Sequence, residues 1–208
     1  MNIKTLILLI INSLIVLVIA LLSFLFYKQF SNVLNDRILM QLNSIETLES
    51  IQIENLIKTK WENFASSKVH SEYIDSTAFE LPDSIKVRDG IHDLTPYHKD
   101  KKATLGLILN TKNGRKIEVI DYSDIQKILL ERTGMGESGE TYLVGEDFRM
   151  RSESRFYPDK KPYDIAVKTK GVISALKGVN GRGILVDYRG IQVYSVYSLI
   201  KISNFYLV

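Results

Sequence analysis

Residues 6–26 have the sequence LILLIINSLIVLVIALLSFLF, an apolar run of 21 residues without a charged side chain. A helix of this length spans roughly 30 Å, about the hydrocarbon thickness of a bilayer. A buried core helix and a cleaved signal peptide are the alternatives. A signal peptide has a shorter apolar region followed by small residues, whereas Tyr27-Lys28-Gln29-Phe30 follows here. We therefore predict an uncleaved transmembrane anchor over residues 1–27.

The whole sequence has 208 residues, is 45% hydrophobic and carries a net charge of +3. This charge is too small and too mixed to indicate a nucleic-acid-binding protein. Cysteine is absent, which excludes a disulfide framework, a thiolate metal site and a cysteine nucleophile. Lys4 precedes the apolar run, and Lys28 and Arg37 follow it, so the positive-inside rule leaves the orientation of the anchor undecided.

Residues 28–70 contain neither glycine nor proline. Their apolar side chains mostly recur three or four positions apart, which is helical spacing with one apolar face. The residues are Phe30, Val33, Leu34, Ile38, Leu42, Ile45, Leu48, Leu56 and Trp61. We predict a helical stalk whose apolar face either packs on the chain's own folded domain or forms a homodimer. Ile53 and Ile57 interrupt a strict heptad repeat and argue against a long coiled coil.

All four prolines and all twelve glycines lie after Leu81, where the pattern changes to short strands and turns. Lys112-Asn113-Gly114 separates two alternating runs, and Asn-Gly is a strong hairpin signal. We predict a reduced distal lobe with this hairpin over residues 71–122. A connecting helix and a glycine-rich turn follow over residues 123–139, with Ser123 as the helix cap and Arg132 as the helix end.

A second module is predicted over residues 140–208. A hairpin over Thr141–Val144 and Arg149–Ser152 comes first, and a helix over Ala166–Lys177, closed by Gly178, follows it. The predicted strands after this helix are Gly183–Asp187, Ile191–Leu199 and Phe205–Val208. This order predicts an α+β fold, in which an antiparallel sheet is covered on one face by a helix and loops.

Residues 134–139, GMGESG, match the G-x-G-x-x-G pattern of dinucleotide-binding loops. That function requires a strand before the pattern and a helix after it, whereas the order predicted here is the reverse, so we predict no cofactor. The sequence also lacks a G-x-S-x-G nucleophile elbow. The histidines, His70, His92 and His98, do not have the regular spacing of metal ligands. We therefore predict neither a catalytic site nor a metal site.

Residues 131–156 have the sequence ERTGMGESGETYLVGEDFRMRSESRF. From Arg132 to Phe156 this stretch resembles the membrane-proximal part of Cache-type sensor domains. These are PAS-like extracytoplasmic modules of bacterial chemoreceptors, sensor histidine kinases, membrane-bound nucleotide cyclases and serine phosphatases. Asp187-Tyr188-Arg189-Gly190, with Val193 and Tyr197 after it, resembles a second block of that family. Residues 71–122 are short for the distal lobe of a double-Cache domain.

The resemblance implies the sensing region of a membrane-bound signal-transduction receptor, whose cytoplasmic output domain lies outside this sequence. It places the residues from about 28 onward on the extracytoplasmic (periplasmic) side. It also implies a homodimer through the stalk and a second span after Val208. Two alternatives stay open: an anchored module that binds a solute or a protein without signalling, and the front end of a membrane-bound kinase, cyclase or phosphatase. No enzyme activity is expected of the residues in this chain.

In PAS-like modules the ligand lies between the sheet and the loops and helix that cover it. Tyrosine combines an apolar ring with a hydroxyl, arginine binds carboxylates through paired hydrogen bonds, and aspartate accepts from an ammonium group. We therefore expect a small carboxylate or amino-acid-like ligand. The candidate ligand-binding residues are Tyr142, Arg151, Ser152, Arg155, Asp187, Tyr188, Tyr194 and Tyr197. The alternative is that the tyrosines pack the sheet and the arginines form structural ion pairs.

Overall fold

A computed structural model describes residues 2–67, 78–80, 82, 88–112, 114–131, 133–202 and 205–207. The helices are α1 (Ile3–Ser66), α2 (Ser123–Leu130) and α3 (Lys170–Leu176). The strands are β1 (Gly90–Asp93), β2 (Thr104–Thr111), β3 (Gly114–Asp121), β4 (Gly181–Val186), β5 (Gln192–Tyr197), β6 (Ile200–Ile202) and β7 (Phe205–Leu207). Short 3-10 helices lie at Thr95–Tyr97 and Pro162–Asp164. Residues 68–70 of the predicted stalk fall outside the described residues.

The chain divides into two compact units, Met1–Met40 and Gln41–Val208. In the first unit, α1 leaves the side chains of residues 6–26 exposed to the surroundings. By length and composition this part of the helix is apolar enough to cross a membrane. The predicted anchor thus coincides with a candidate membrane helix, and its orientation stays a prediction.

In the second unit, one face of α1 belongs to the main hydrophobic core. Ile53, Ile57 and Phe64 are at most 2% exposed and pack in one cluster with side chains of β1, β2 and α2. Ile53 and Ile57 are the residues that interrupt the heptad repeat, and the fold buries both. Of the predicted apolar face, Leu56 and Trp61 pack partly buried against this core, whereas Leu48 is 61% exposed.

A buried lysine holds the C-terminal end of α1. The last carbonyl groups of a helix have no partner within it. The ammonium group of Lys116, on β3, donates hydrogen bonds to the carbonyl oxygens of Phe64 and Ser67, the latter at 2.8 Å. It also lies 4.6 Å from the centroid of the Phe64 ring. A cation at this position also interacts favourably with the helix dipole.

The strands β1, β2 and β3 form one antiparallel sheet in that order, in which Ile91 pairs with Leu107 and Thr111 with Gly114. The two strands of the predicted Asn-Gly hairpin are confirmed, although Asn113 itself lies outside the described residues. The helix after the hairpin begins at Ser123 and ends at Leu130; Arg132, its predicted end, is likewise not described.

Ser123 was predicted to cap α2, and this detail is wrong. The Ser123 amide donates to Asp121 Oδ1 at 3.0 Å, so the preceding aspartate accepts the first free amide. Hydrogen bonds from the hydroxyl and the amide of Ser123 lower the pKa of Asp121. The predicted apolar side of the helix is correct, because Ile125 and Leu129 are buried in the core.

A second, smaller core is formed by Val144, Met150, Ile165, Val167 and Val172. Of the hairpin predicted over Thr141–Val144 and Arg149–Ser152, the structure contains only an isolated bridge between Val144 and Met150. The Arg151 amide extends this pairing with a 2.7 Å hydrogen bond to the Leu143 carbonyl oxygen. The chain therefore turns between Val144 and Arg149, as predicted, but the paired segments on either side of the turn are too short to be strands.

The predicted helix over Ala166–Lys177 begins later, at Lys170, where Thr169 caps it by accepting the Val172 amide at 3.3 Å. Ile165 and Val167 are buried while Ala166 is exposed, which is the alternation of an extended segment. The Val167 amide donates to the Phe148 carbonyl oxygen at 2.8 Å. This contact with the turn at residue 148 holds the segment in an extended conformation.

The turn between β4 and β5 is closed by a 3.0 Å hydrogen bond from the Gly190 amide to the Asp187 carbonyl oxygen. The strands β6 and β7 pair separately; Val208, the predicted end of the last strand, is not described. The α+β class is confirmed. Within the described residues the strands form three antiparallel sheets, the largest over residues 90–121. The PAS-like arrangement stays a prediction.

Candidate functional site

A cavity of about 320 Å³ lies between α2, the segment at residues 140–141 and the loop at residues 153–158. Its polar wall consists of Gln126, Glu140, Thr141, Glu153, Ser154 and Arg155. Leu129, Leu130 and Pro158 form the apolar part of the wall. A volume of this order is at the lower end of the range for small-molecule sites.

The helix α2 positions one side of the cavity. Ile125 and Leu129 anchor the helix in the main core, and the intervening Gln126 reaches the cavity wall. Gln126 Oε1 accepts the Glu153 amide at 2.8 Å, which ties the helix to the loop on the other side. In the part of the chain that the structure describes, the side-chain NH₂ group of Gln126 has no hydrogen-bond partner.

Arg155 provides the cation of the cavity. Its backbone amide donates to Glu140 Oε1 at 2.6 Å, and Nη1 donates to the Gly139 carbonyl oxygen at 3.1 Å. Among the described residues, Nε and Nη2 have no partner. The guanidinium group is therefore fixed at one nitrogen and keeps donors free at the cavity wall. Such donors can bind a carboxylate through paired hydrogen bonds.

Glu140 is the centre of the polar network beside the cavity. The Tyr188 hydroxyl donates to Glu140 Oε2 at 2.6 Å, and Ser154 Oγ lies 2.8 Å from the same hydroxyl. Ser154 Oγ also accepts the Phe156 amide at 3.1 Å. Both oxygens of Glu140 thus have hydrogen-bond partners.

Two further tyrosine rings surround Tyr188. The Tyr142 ring meets it edge-on at 5.4 Å between centroids, and the Tyr157 ring lies 5.9 Å away. Burial raises the pKa of the Tyr142 hydroxyl. Burial and the hydrogen bond to Glu140 raise the pKa of Tyr188. Both hydroxyl groups therefore stay protonated throughout the physiological pH range, and that of Tyr188 donates to Glu140.

Arg151 and Ser152 lie away from the cavity wall, and each is 1% exposed. Arg151 Nε donates to Asp93 Oδ2 at 2.8 Å, Nη2 donates to Asp147 Oδ1 at 2.8 Å, and Nη1 donates to the Arg149 carbonyl oxygen at 2.8 Å. Ser152 Oγ accepts the Leu143 amide at 2.9 Å. Both residues belong to structural hydrogen-bond networks, and neither contributes to the cavity wall. Ligand binding by them stays a prediction.

The other three candidate residues lie elsewhere in the second unit. Asp187 accepts from the backbone amide and Nε of Arg189, at 2.8 and 2.7 Å, within the turn after β4. Tyr197 lies against Gly171 and Gly181, where a Cβ atom on either glycine would meet its ring or hydroxyl. Tyr194, on β5, is half-buried. None of the three contributes to the cavity wall.

The structure thus brings together three of the eight predicted residues: Arg155 at the wall, and Tyr188 and Tyr142 in the network behind it. Residue-type arguments missed the side chains that complete the site, namely Gln126, Glu140, Thr141, Glu153 and Ser154. Four of these, Glu140, Thr141, Glu153 and Ser154, lie within residues 131–156, the stretch on which the expected family resemblance rests. The position of this stretch is the one signal in the sequence that could have indicated them.

The structure also describes two other features that the sequence singled out, His92 and the G-x-G-x-x-G segment. His92 is buried, its Nε2 lies 3.0 Å from the Arg88 carbonyl oxygen, and burial lowers its pKa. Among the described residues, no group of histidines and carboxylates is arranged to hold a metal ion. In the G-x-G-x-x-G segment, Gly134 and Gly136 have positive φ angles of 88° and 65°. The Gln41 side-chain amide donates to the Gly134 carbonyl oxygen, so this turn packs on α1.

Comparison with known proteins identifies no relative: no protein-family model, no curated protein sequence and no solved structure matches the chain.

Proposed function

We propose that the chain is the ligand-sensing region of a membrane-bound signal-transduction receptor, and that residues 41–208 bind a small carboxylate or amino-acid-like molecule. The observation that carries the proposal is the mixed-charge cavity with free donors of Arg155 and Gln126 on its wall. An anionic group fits these donors, while the carboxylate of Glu153, exposed at the same wall, suits an ammonium group.

The position of the cavity in the sequence supports the same proposal. Five wall residues belong to residues 131–156, the stretch that resembles Cache-type sensor domains. The expected family resemblance and the position of the cavity are independent arguments, and both favour residues 131–156 as part of the ligand site. We propose further that residues from about 28 onward are extracytoplasmic, and that the apolar part of α1 anchors the protein in the membrane.

The continuity of α1 supports a route for the signal. One helix, Ile3–Ser66, contains both the candidate membrane segment and the core residues Ile53 and Ile57. We propose that ligand binding shifts the population of two arrangements of this helix. On the same helix, Leu48 and Ile51 are 61% and 49% exposed, which fits the proposed homodimer through the stalk.

Binding can be tested with the full chain in lipid nanodiscs. Thermal-shift and calorimetric measurements against amino acids and small organic acids should give at least one ligand that raises the unfolding temperature. Arg155→Met keeps most of the side-chain stem but removes the free donors, and we expect it to weaken binding of that ligand at least tenfold, equivalent to about 1.4 kcal/mol.

Arg182→Met is the matched control, because Arg182 is an exposed arginine on β4 outside the cavity wall. It should leave the affinity unchanged. A panel in which no compound binds, or a ligand whose affinity responds equally to both substitutions, would contradict the proposed site.

A further inference from the structure

Glu49 is a buried carboxyl group on α1 that the proposed binding reaction does not use. The residue is 7% exposed, and neither carboxyl oxygen has a hydrogen-bond partner at normal geometry among the described residues. A buried carboxylate without a partner is strongly destabilising. Either the surroundings of Glu49 keep its carboxyl group protonated, or the side chains around it rearrange when the proton is lost.

The charged groups that act on Glu49 from the described residues are both carboxylates. Glu46 lies one turn earlier on α1, where it accepts a 3.0 Å hydrogen bond from Ser50 and a further one from Ser198. Glu131 follows the last residue of α2. Burial, with smaller contributions from these two carboxylates, raises the pKa of Glu49 to about 7, against a lesser lowering by Thr141.

Thr141 connects Glu49 with the cavity. Its side chain faces Glu49 and forms part of the cavity wall. The Thr141 hydroxyl donates its proton to the sulfur of Met135 at 3.1 Å. A hydroxyl has one proton to donate and two lone pairs that accept. In this orientation Thr141 Oγ1 can accept a hydrogen bond from neutral Glu49 but cannot donate one to its carboxylate.

We propose that Glu49 is a proton-operated contact between α1 and the cavity, in which its protonation state sets the orientation of the Thr141 hydroxyl. In the protonated form the carboxyl group of Glu49 turns to donate to Thr141 Oγ1, while Thr141 keeps the bond to Met135 that the structure shows. When Glu49 releases its proton to solvent, Thr141 turns, donates to the carboxylate and leaves Met135. Since the proposed ligand would contact the same hydroxyl, ligand binding and protonation of Glu49 are coupled; this last step rests on the proposed function.

The pH dependence of stability tests the contact without any ligand. An unfolded glutamate releases its proton near its ordinary pKa of 4.5, whereas folded Glu49 keeps it to about 7. Between these values the folded state binds more protons, so the contribution of Glu49 to stability falls as pH rises and is constant above the upper value. The glutamine side chain of Glu49→Gln is neutral at every pH, so this variant should not lose stability as the pH rises.

The measurement is the unfolding temperature of the full chain in nanodiscs from pH 5 to pH 8. We expect Glu49→Gln to match the wild type at pH 5 and to exceed it by on the order of 5 °C at pH 8. Glu54 is an exposed residue on the same helix. Because surface substitutions change stability little, Glu54→Gln should have an unfolding temperature within about 1 °C of the wild type. Equal pH profiles for Glu49→Gln and Glu54→Gln would overturn the proposal.

Infrared spectroscopy of the wild type gives a test that does not depend on folding of a variant. A protonated-carboxyl band that titrates with a midpoint near pH 7 is expected. Thr141→Val removes the hydroxyl that stabilises the carboxylate, so the midpoint should move to higher pH. The absence of a carboxyl band above pH 6, or an unchanged midpoint in Thr141→Val, would contradict the contact. A failed ligand panel would not affect either result.

Discussion

Arg151 and Arg155 are four positions apart in one loop, yet they have opposite environments. Arg151 is 1% exposed, and each of its three guanidinium nitrogens donates to an oxygen of Asp93, Asp147 or Arg149. Arg155 is half-buried, and a single guanidinium nitrogen has a partner among the described residues. The first arginine is part of the framework, while the second is available to a ligand.

The surroundings of Arg151 explain how a cation is accommodated in the interior. A buried charge is stable only when it is paired and its remaining donors are hydrogen-bonded. Asp93 and Asp147 supply the charges, and the Tyr163 ring lies 5.4 Å from the guanidinium carbon. Gly145 is required beneath it, because a Cβ atom there would overlap the guanidinium group. Burial, pairing and close packing identify Arg151 as a structural arginine, whereas the free donors of Arg155 at the cavity wall are the basis on which we propose that it binds a ligand.

Arg151→Met should have the largest effect on stability. The substitution leaves the carboxylates of Asp93 and Asp147 without their cation and removes hydrogen bonds that connect β1 to the turn at residue 147. Loss of one partner of a buried ion pair costs on the order of 3–5 kcal/mol. Because the side chains of Asp93 and Asp147 are 15% and 29% exposed, we expect about 3 kcal/mol.

Chemical denaturation measures this loss of the free energy of unfolding. Arg155→Met is the control, because it makes the same substitution at another arginine of the same loop. A double variant, Arg151→Met with Asp93→Asn, should lose less than the sum of the single losses, because both substitutions disrupt one ion pair. Additive losses would show that the pair with Asp93 is not what makes Arg151 structural.

Tyr188→Phe should have an intermediate effect and addresses the network behind the cavity. The variant keeps the ring contacts with Tyr142 and Tyr157 but removes the hydroxyl that donates to Glu140. A hydrogen bond to a charged group contributes about 1.5–3 kcal/mol, and partial exposure of Glu140 reduces the loss to about 1–2 kcal/mol.

Tyr157→Phe is the matched control for this loss, because the Tyr157 hydroxyl has no hydrogen bond in the described part of the chain. It should change the free energy of unfolding by less than about 0.5 kcal/mol. Equal losses for Tyr157→Phe and Tyr188→Phe would indicate that ring packing, and not the bond to Glu140, stabilises this side of the cavity.

The sequence predicted those features that depend on neighbouring residues. The Asn-Gly pair in the sequence predicts the β2–β3 hairpin, and the length and composition of residues 6–26 predict a candidate membrane helix. The roles of the two arginines were not predictable in this way. The Asp93 partner of Arg151 is 58 positions away, and the Tyr188 partner of Glu140 is 48 positions away. The late start of α3 has the same cause, since Val167 is held extended by Phe148.

Among Arg151→Met, Tyr188→Phe and Arg155→Met, the last should have the smallest effect on stability. The substitution removes one hydrogen bond, from Nη1 to the Gly139 carbonyl oxygen, while the backbone bond from Arg155 to Glu140 is retained. We expect a loss below about 1 kcal/mol in the absence of ligand, together with the weakened binding described above. Denaturation and ligand titration of the same sample measure both quantities. A loss of stability as large as that of Arg151→Met would show that Arg155 is also a structural arginine, and would contradict the distinction between it and Arg151.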